Sequence, residues 1–276
     1  MTMSEFQHEA RTRLQMKRKP IFPTILHREL AEVVRDYFMA VQGVDTVLVV
    51  NSCARGQAVP ESDLDFAILV SPGISTSDAK NAEHHWQTYL ETQTTFVRYK
   101  QSHQFAHLHL DIIDGNYSPG RLEPGEPIDY FEVEIGNQIL YSAPFGDAGE
   151  YFMELQNRWL PYYDEKLRLQ RLLLSRSACE YDLDHIPFFM KRGLCFQAFD
   201  ILCKAFQEYL QTLFIASKTY PIAYNKWIKE QIVLWLDKPA LYPKLPSILS
   251  VSDIQSNEVN EKAHMLRELL NNIATE

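Results

Sequence analysis

The chain has 276 residues, a formal net charge of −9 and 46% hydrophobic residues. That length and apolar content support one large domain or two small ones with real cores. The acidic balance argues against a nucleic-acid partner, because phosphate backbones favour a basic face.

Four cysteines (Cys53, Cys179, Cys195, Cys203) show no C-x-x-C spacing and read as the reduced thiols of a cytoplasmic protein. No apolar run approaches membrane-spanning length, and the N-terminus lacks the apolar core of a signal peptide.

Residues 1–20 are polar and read as loose or partly helical. Pro23 and Thr24 precede an amphipathic segment, Ile25 to Val41, with Leu26, Leu30, Val33, Val34, Tyr37 and Phe38 at helical spacing. Gly43 closes it. Two apolar strands follow, Thr46 to Val50 and Leu64 to Val70, the second ended by Ser71-Pro72-Gly73. Ser77 to Thr92 reads as a helix, and Thr95 to Tyr99 and Ala106 to Ile113 as strands. Asp114-Gly115-Asn116 turns the chain into a Pro/Gly-rich loop from Ser118 to Pro127. Tyr130 to Ile135 and Ile139 to Ser142 read as short strands around Gly136. Strands joined first by one helix and then meandering predict a small mixed sheet with helices on one face.

From about Tyr151 glycine nearly vanishes and the apolar period becomes helical. Helices are expected over Leu155 to Ser177, Phe196 to Ala216, Ala223 to Leu236 and Asn257 to Ile273, and short connections imply an antiparallel bundle. The predicted fold class is therefore α+β, with a small mixed-sheet domain over residues 1–148 and an α-helical bundle over residues 149–276.

Chemistry concentrates in residues 47–70, VLVVNSCARGQAVPESDLDFAILV. Alternation puts Asp63 and Asp65 on one face of the second strand and Leu64, Phe66 and Ile68 on the other. Two carboxylates on an otherwise buried strand are costly unless a cation meets them. Mg²⁺ suits one or two carboxylates plus phosphate oxygens. The turn at Ser52 opens a helix whose first N–H groups favour an anion.

This stretch resembles the nucleotidyltransferases of the DNA polymerase β superfamily, whose pattern is Gly-Ser, a short spacer, then Asp-x-Asp in an apolar strand. Here Ser52 precedes Asp63 by eleven positions, and Asn51 stands where the family has glycine. Asn tolerates left-handed backbone angles better than other non-glycine residues, so the turn can form.

The resemblance implies that Asp63 and Asp65 bind Mg²⁺, while Ser52, the turn amides and Arg55 hold the phosphates of a nucleoside triphosphate, ATP above all. It also implies transfer of a nucleoside monophosphate to a hydroxyl of a small acceptor lying between the two domains. The succession of domains is similar to the kanamycin- and streptomycin-modifying enzymes. An aminoglycoside-like polycation would suit the acidic balance. The alternative is a catalytically weak, antitoxin-like regulatory protein of the same fold. Neither a membrane nor a nucleic acid is expected as partner, and the sequence leaves the oligomeric state open.

Members of this superfamily use a third carboxylate near the metal. In His107-Leu-His-Leu-Asp-Ile-Ile113, His107, His109 and Asp111 share a face, making Asp111 the leading third ligand and base. Asp114 falls on the other face and suits a turn. The rival is Glu132, because Glu132-Val-Glu-Ile-Gly136 resembles the strand that carries the base glutamate in streptomycin-type relatives.

His-x-His-x-Asp is also part of the zinc set of metallo-β-lactamase-like hydrolases, but Ile112 stands where those enzymes have a further His. Finally, Tyr220-Pro221…Tyr224-Asn-Lys226-Trp227 resembles stretches that face the triphosphate in related helical domains. Lys226 is thus the expected phosphate contact there, and Lys204 a weaker one.

Overall fold

The computed structural model describes residues 19–74, 76–120 and 125–274, with residues 76–80 described by backbone only. The expectation for residues 1–18, and that part of the 118–127 loop at 121–124, lie outside the described residues. The architecture is α+β, with a small four-stranded mixed sheet among many helices. Two compact units emerge, residues 1–117 with 134–161, and residues 118–133 with 162–276.

In the first unit, α1 (Ile25–Met39) starts at Thr24, whose hydroxyl accepts the His27 amide, and buries Leu30, Ala31, Val34 and Phe38. β1 (Val44–Val49) leads into the one-turn helix α2 (Asn51–Arg55), closed by Gly56 at φ +70°. β2 (Leu64–Val70) is buried along its whole length. Next come α3 (Thr76–Glu91), α4 (Thr94–Lys100) and β3 (Leu108–Ile113). The sheet order is β3-β2-β1-β4, where β4 is the two-residue Ala143–Pro144. β1 runs antiparallel to β2 and β4, and β2 runs parallel to β3. Trp86 of α3 packs on Tyr37 and Phe38 of α1, with ring centroids 5.0 and 5.1 Å apart.

Two expected strands are helices. Thr95 to Tyr99 lies inside α4, with Tyr99 buried in the core. Tyr130 to Ile135 is α5 (Phe131–Ile135), which continues as a π-helical turn over Gly136–Leu140 in place of the strand at Ile139. The buried positions Phe131, Glu132, Ile135, Gly136 and Ile139 recur at helical spacing, and that period outweighs the local alternation of Val133 and Ile135.

A single boundary at 148 also requires correction. α6 (Glu150–Trp159) belongs to the first unit because Asp45 of β1 caps it, accepting the Tyr151 and Phe152 amides, each at 3.0 Å. Thr46 donates to the same carboxylate and accepts the Gly149 amide at 2.9 Å. A Cβ on Gly149 would fall 2.3 Å from the Asp45 carboxyl carbon, so glycine is required there. The helix expected from Leu155 to Ser177 breaks at Pro161, which forces Leu160 to an extended ψ of 145°.

The second unit contains α7 (Glu165–Lys191) and α8 (Cys195–Ala216), an antiparallel hairpin turning at Gly193. It continues with a short helix α9 (Ile228–Glu230) that passes into a π-helical turn (Gln231–Trp235), then α10 (Lys244–Leu249) and α11 (Glu258–Asn271). The helix expected from Ala223 starts only at Ile228. Buried Gln231 accepts the Ile222 amide and donates to the Ala223 and Lys226 carbonyls, which holds residues 222–226 as a loop. Residues 118–133 join this unit because Asp129 and Glu132 both grip Arg171 of α7. Among the described residues no helix is long and apolar enough to cross a membrane.

Candidate metal centre

The first unit draws three metal-ligating side chains together: Asp63, Asp65 and His109. Asp63 ends the loop after α2, and Asp65 is the second residue of β2, 9% exposed. His109 comes from β3, where the parallel register pairs Asp65 with His109 and Ala67 with Asp111. Residues paired across a parallel ladder share a face, so Asp65, His109 and Asp111 all project from one side. Leu108 and Leu110 pack against the core on the other side, which fixes which way β3 faces.

One ligand atom from each of the three residues lies within 4.8 Å of the others, and His109 Nε2 stands 3.6 Å from Asp63 Oδ2. Ligand atoms around one ion with bonds of about 2.1 Å are at most about 4.2 Å apart, so a closure of about 0.6 Å or less would let all three reach one ion. Two carboxylates and an imidazole fit a dication both in charge and in donor chemistry.

The residues expected to cradle a phosphate adjoin this face. The Val50 amide donates to the Asp65 carbonyl at 3.1 Å, tying the start of α2 to the acidic strand. Asn51, at the position where the resembled pattern has glycine, has φ +55°, a left-handed conformation. Ser52 and Arg55 are half-buried within α2. The Cys53 thiol beside them is pushed up to about 12, by burial first and then by the charges of Asp65 and Asp63. It is an inert core group.

The entry to Asp63 is held from behind by two side chains that the sequence did not single out. Tyr99 of α4 donates its hydroxyl to the Ser62 carbonyl at 3.2 Å, and His27 Nε2 meets the same oxygen at 2.9 Å. A carbonyl only accepts, so Nε2 carries the proton and Nδ1 accepts from the Thr24 hydroxyl at 2.7 Å. His27 is 1% exposed, and burial lowers its pKa below the ordinary histidine value, with His103 adding to the effect against the Ser62 bond.

The other expected site residues have different surroundings. Asp111 is exposed on the acidic face, one ladder step beyond the three clustered residues, and is not among them. Among the described residues His107, His109 and Asp111 form no metal-ligating group of their own. Asp114 accepts the Asn116 amide in a turn.

Glu132 is a correction. It is a fully buried residue of α5 in the second unit, not an exposed strand residue. Arg171 Nη2 donates to its Oε2 and Tyr163 to its Oε1, each at 2.8 Å, and Gln211 adds a third donor at 3.2 Å. Arg171 also reaches Asp129 at 2.8 Å and stacks on Phe131. A carboxylate so fully engaged is suited to a structural role.

Lys204 is likewise committed, to Asp182 at 2.6 Å and Glu208 at 2.9 Å. Lys226 is exposed in the loop that Gln231 pins. No protein-family model matches this chain, and no curated protein matches it either. The chemistry of the site is therefore read from its own residues.

Proposed function

We propose that the protein is a divalent-cation-dependent nucleotidyltransferase that moves a nucleoside monophosphate, AMP from ATP, onto a hydroxyl of a small molecule. The observation that carries this reading is the convergence of Asp63 and Asp65 on one strand face beside the Asn51–Arg55 turn. In this reading Asp63 and Asp65 hold Mg²⁺ or a similar dication, with Asp111 on the same face. When bound, the ion offsets phosphate charge and eases loss of the hydroxyl proton.

The residues of the chain divide the remaining work. Ser52 and the amides of its turn bind the terminal phosphates, and Arg55 adds positive charge there. Asp111, exposed and one ladder step from Asp65, accepts the proton of the attacking hydroxyl. His27 and Tyr99 keep the Ser62 carbonyl, and with it Asp63, in place. The acidic chain favours a cationic acceptor.

A second reading draws on Asn51, which carries a side chain where the resembled pattern has glycine. It makes the protein a nucleotide-binding regulator with little turnover. The test for both is pyrophosphate release from ATP with a panel of hydroxylated acceptors. Release that depends on an acceptor and disappears in Asp63→Asn/Asp65→Asn is the expected result. Nucleotide binding with no release from any acceptor would favour the regulator, and the absence of both would overturn the proposal.

A further inference from the structure

The alternating pattern of β3 offers Asp111 as the third ligand, yet the metal-ligating side chain that clusters with the Asp pair is an imidazole. We infer that His109 is a direct ligand of the bound ion, and that with it the site prefers a first-row transition dication such as Mn²⁺ over Mg²⁺. The inference rests on the reading of Asp63 and Asp65 as metal carboxylates.

Three observations carry it. His109 is held opposite Asp65 by a parallel ladder running unbroken from Leu64–Leu108 to Leu69–Ile113, so its position is set by backbone. Its Nε2, the more distant ring nitrogen, is the atom turned towards Asp63 Oδ2. Leu108 and Leu110 are anchored in the core on either side, which prevents the strand from presenting its other face. The imidazole is therefore preorganised towards the place where two carboxylates converge.

Donor chemistry then decides the ion. Mg²⁺ is hard, favours oxygen and keeps its waters, so an imidazole adds little to its binding. First-row dications gain from a nitrogen donor, increasingly along the series from Mn²⁺ to Cu²⁺. Replacing the third carboxylate of a nucleotidyl-transfer site by imidazole also leaves the ligand set at two negative charges, which one dication neutralises. Asp111 is then free to act as base without being a ligand, in agreement with its place one step further along the ladder.

The test uses Mn²⁺ as probe with the tag-free full chain, followed by electron paramagnetic resonance with and without ATP. Wild type should bind Mn²⁺ at least about tenfold more tightly than Mg²⁺. The bound Mn²⁺ should show the nitrogen modulation of a coordinated imidazole. His109→Ala should lose the modulation and weaken Mn²⁺ about tenfold or more, the scale of a lost ligand interaction, with little effect on Mg²⁺. His107→Ala should keep both properties. Since the His109 side chain is 59% exposed, its removal does not open the core.

Bound Mn²⁺ without nitrogen modulation, or His109→Ala binding Mn²⁺ like wild type, overturns the inference and leaves the nucleotidyltransferase reading standing. Modulation from His109 with no effect of ATP sustains the inference and removes that reading. No Mn²⁺ binding with or without ATP overturns both.

Discussion

Asp65 and His109 occupy directly opposed positions in the parallel pair of β2 and β3. The next position on the same face pairs Ala67 with Asp111, which sets the exposed Asp111 carboxylate one step beyond His109. In the proposed reading, that arrangement separates holding the ion from moving the proton.

Asp111→Asn should therefore spare nucleotide binding and cut turnover by about two to four powers of ten, the usual range for a lost general base. Single-turnover transfer to an acceptor found by the pyrophosphate screen measures the rate, and calorimetry the binding. Loss of both together would make Asp111 a metal ligand, and loss of neither would remove it from the site.

Glu132 is expected to affect stability and not turnover. Arg171→Met leaves a fully buried carboxylate with only neutral donors and should cost about 3–5 kcal/mol. Glu132→Gln, which leaves Arg171 paired with Asp129, should cost less. Urea unfolding of the two variants gives the comparison. Unchanged stability in Arg171→Met would contradict the structural role of the pair.

Asn51 holds φ +55° at the start of α2. Asn51→Gly should keep turnover within about twofold, since glycine adopts that angle without steric cost. Asn51→Val should lose about 1–2 kcal/mol of stability, because a β-branched residue is strained there. A fall of about tenfold or more in turnover for Asn51→Gly, some 1.4 kcal/mol, would show that the side chain makes a needed contact.

Much of this was legible in the sequence, for reasons particular to each segment. The apolar runs on either side of Asn51 and the alternation around Asp63 and Asp65 gave β1, β2 and the acidic face, because an antiparallel pair joined by a short connection is a local structure. α4 was misread because Thr95, Phe96, Val97 and Tyr99 carry strand propensity, which burial of Tyr99 in the core overrides. β4 is too short to leave a periodic signal.

The place of His109 beside Asp63 and Asp65 was hidden for a different reason. Alternation placed it on the right face, but only the register of β3 against β2 says whether His109 or Asp111 stands beside Asp65, and a parallel register reached through two intervening helices leaves no local trace. The support of Ser62 by His27 and Tyr99 joins residues more than thirty positions apart, at separations of 35 and 37, and is equally silent in sequence.

His27 gives the site a pH dependence with a definite sign. Its folded pKa lies below the ordinary value of 6.5, burial being the main cause. As pH falls through 6.5 the unfolded chain takes the proton first, so the contribution of His27 is full above 6.5 and is lost towards the lower folded value. Melting temperature should drop as pH falls from about 7.5 to about 5.5. His27→Gln, which keeps a donor for Ser62 and removes the titration, should flatten that slope. An equal slope in the variant would place the titrating group elsewhere.

The most direct test of the central claim is the effect of ATP on thermal stability, with and without a dication, in wild type and in Asp63→Asn/Asp65→Asn. A ligand held at about a hundred times its Kd adds about 2.7 kcal/mol, a rise of about 5 °C or more for a unit of this size. The account predicts that rise in wild type with Mn²⁺ or Mg²⁺, its loss with EDTA, and its absence in the double variant. An ATP-dependent rise that survives EDTA or the loss of both aspartates, or no rise in wild type with either ion, would contradict it.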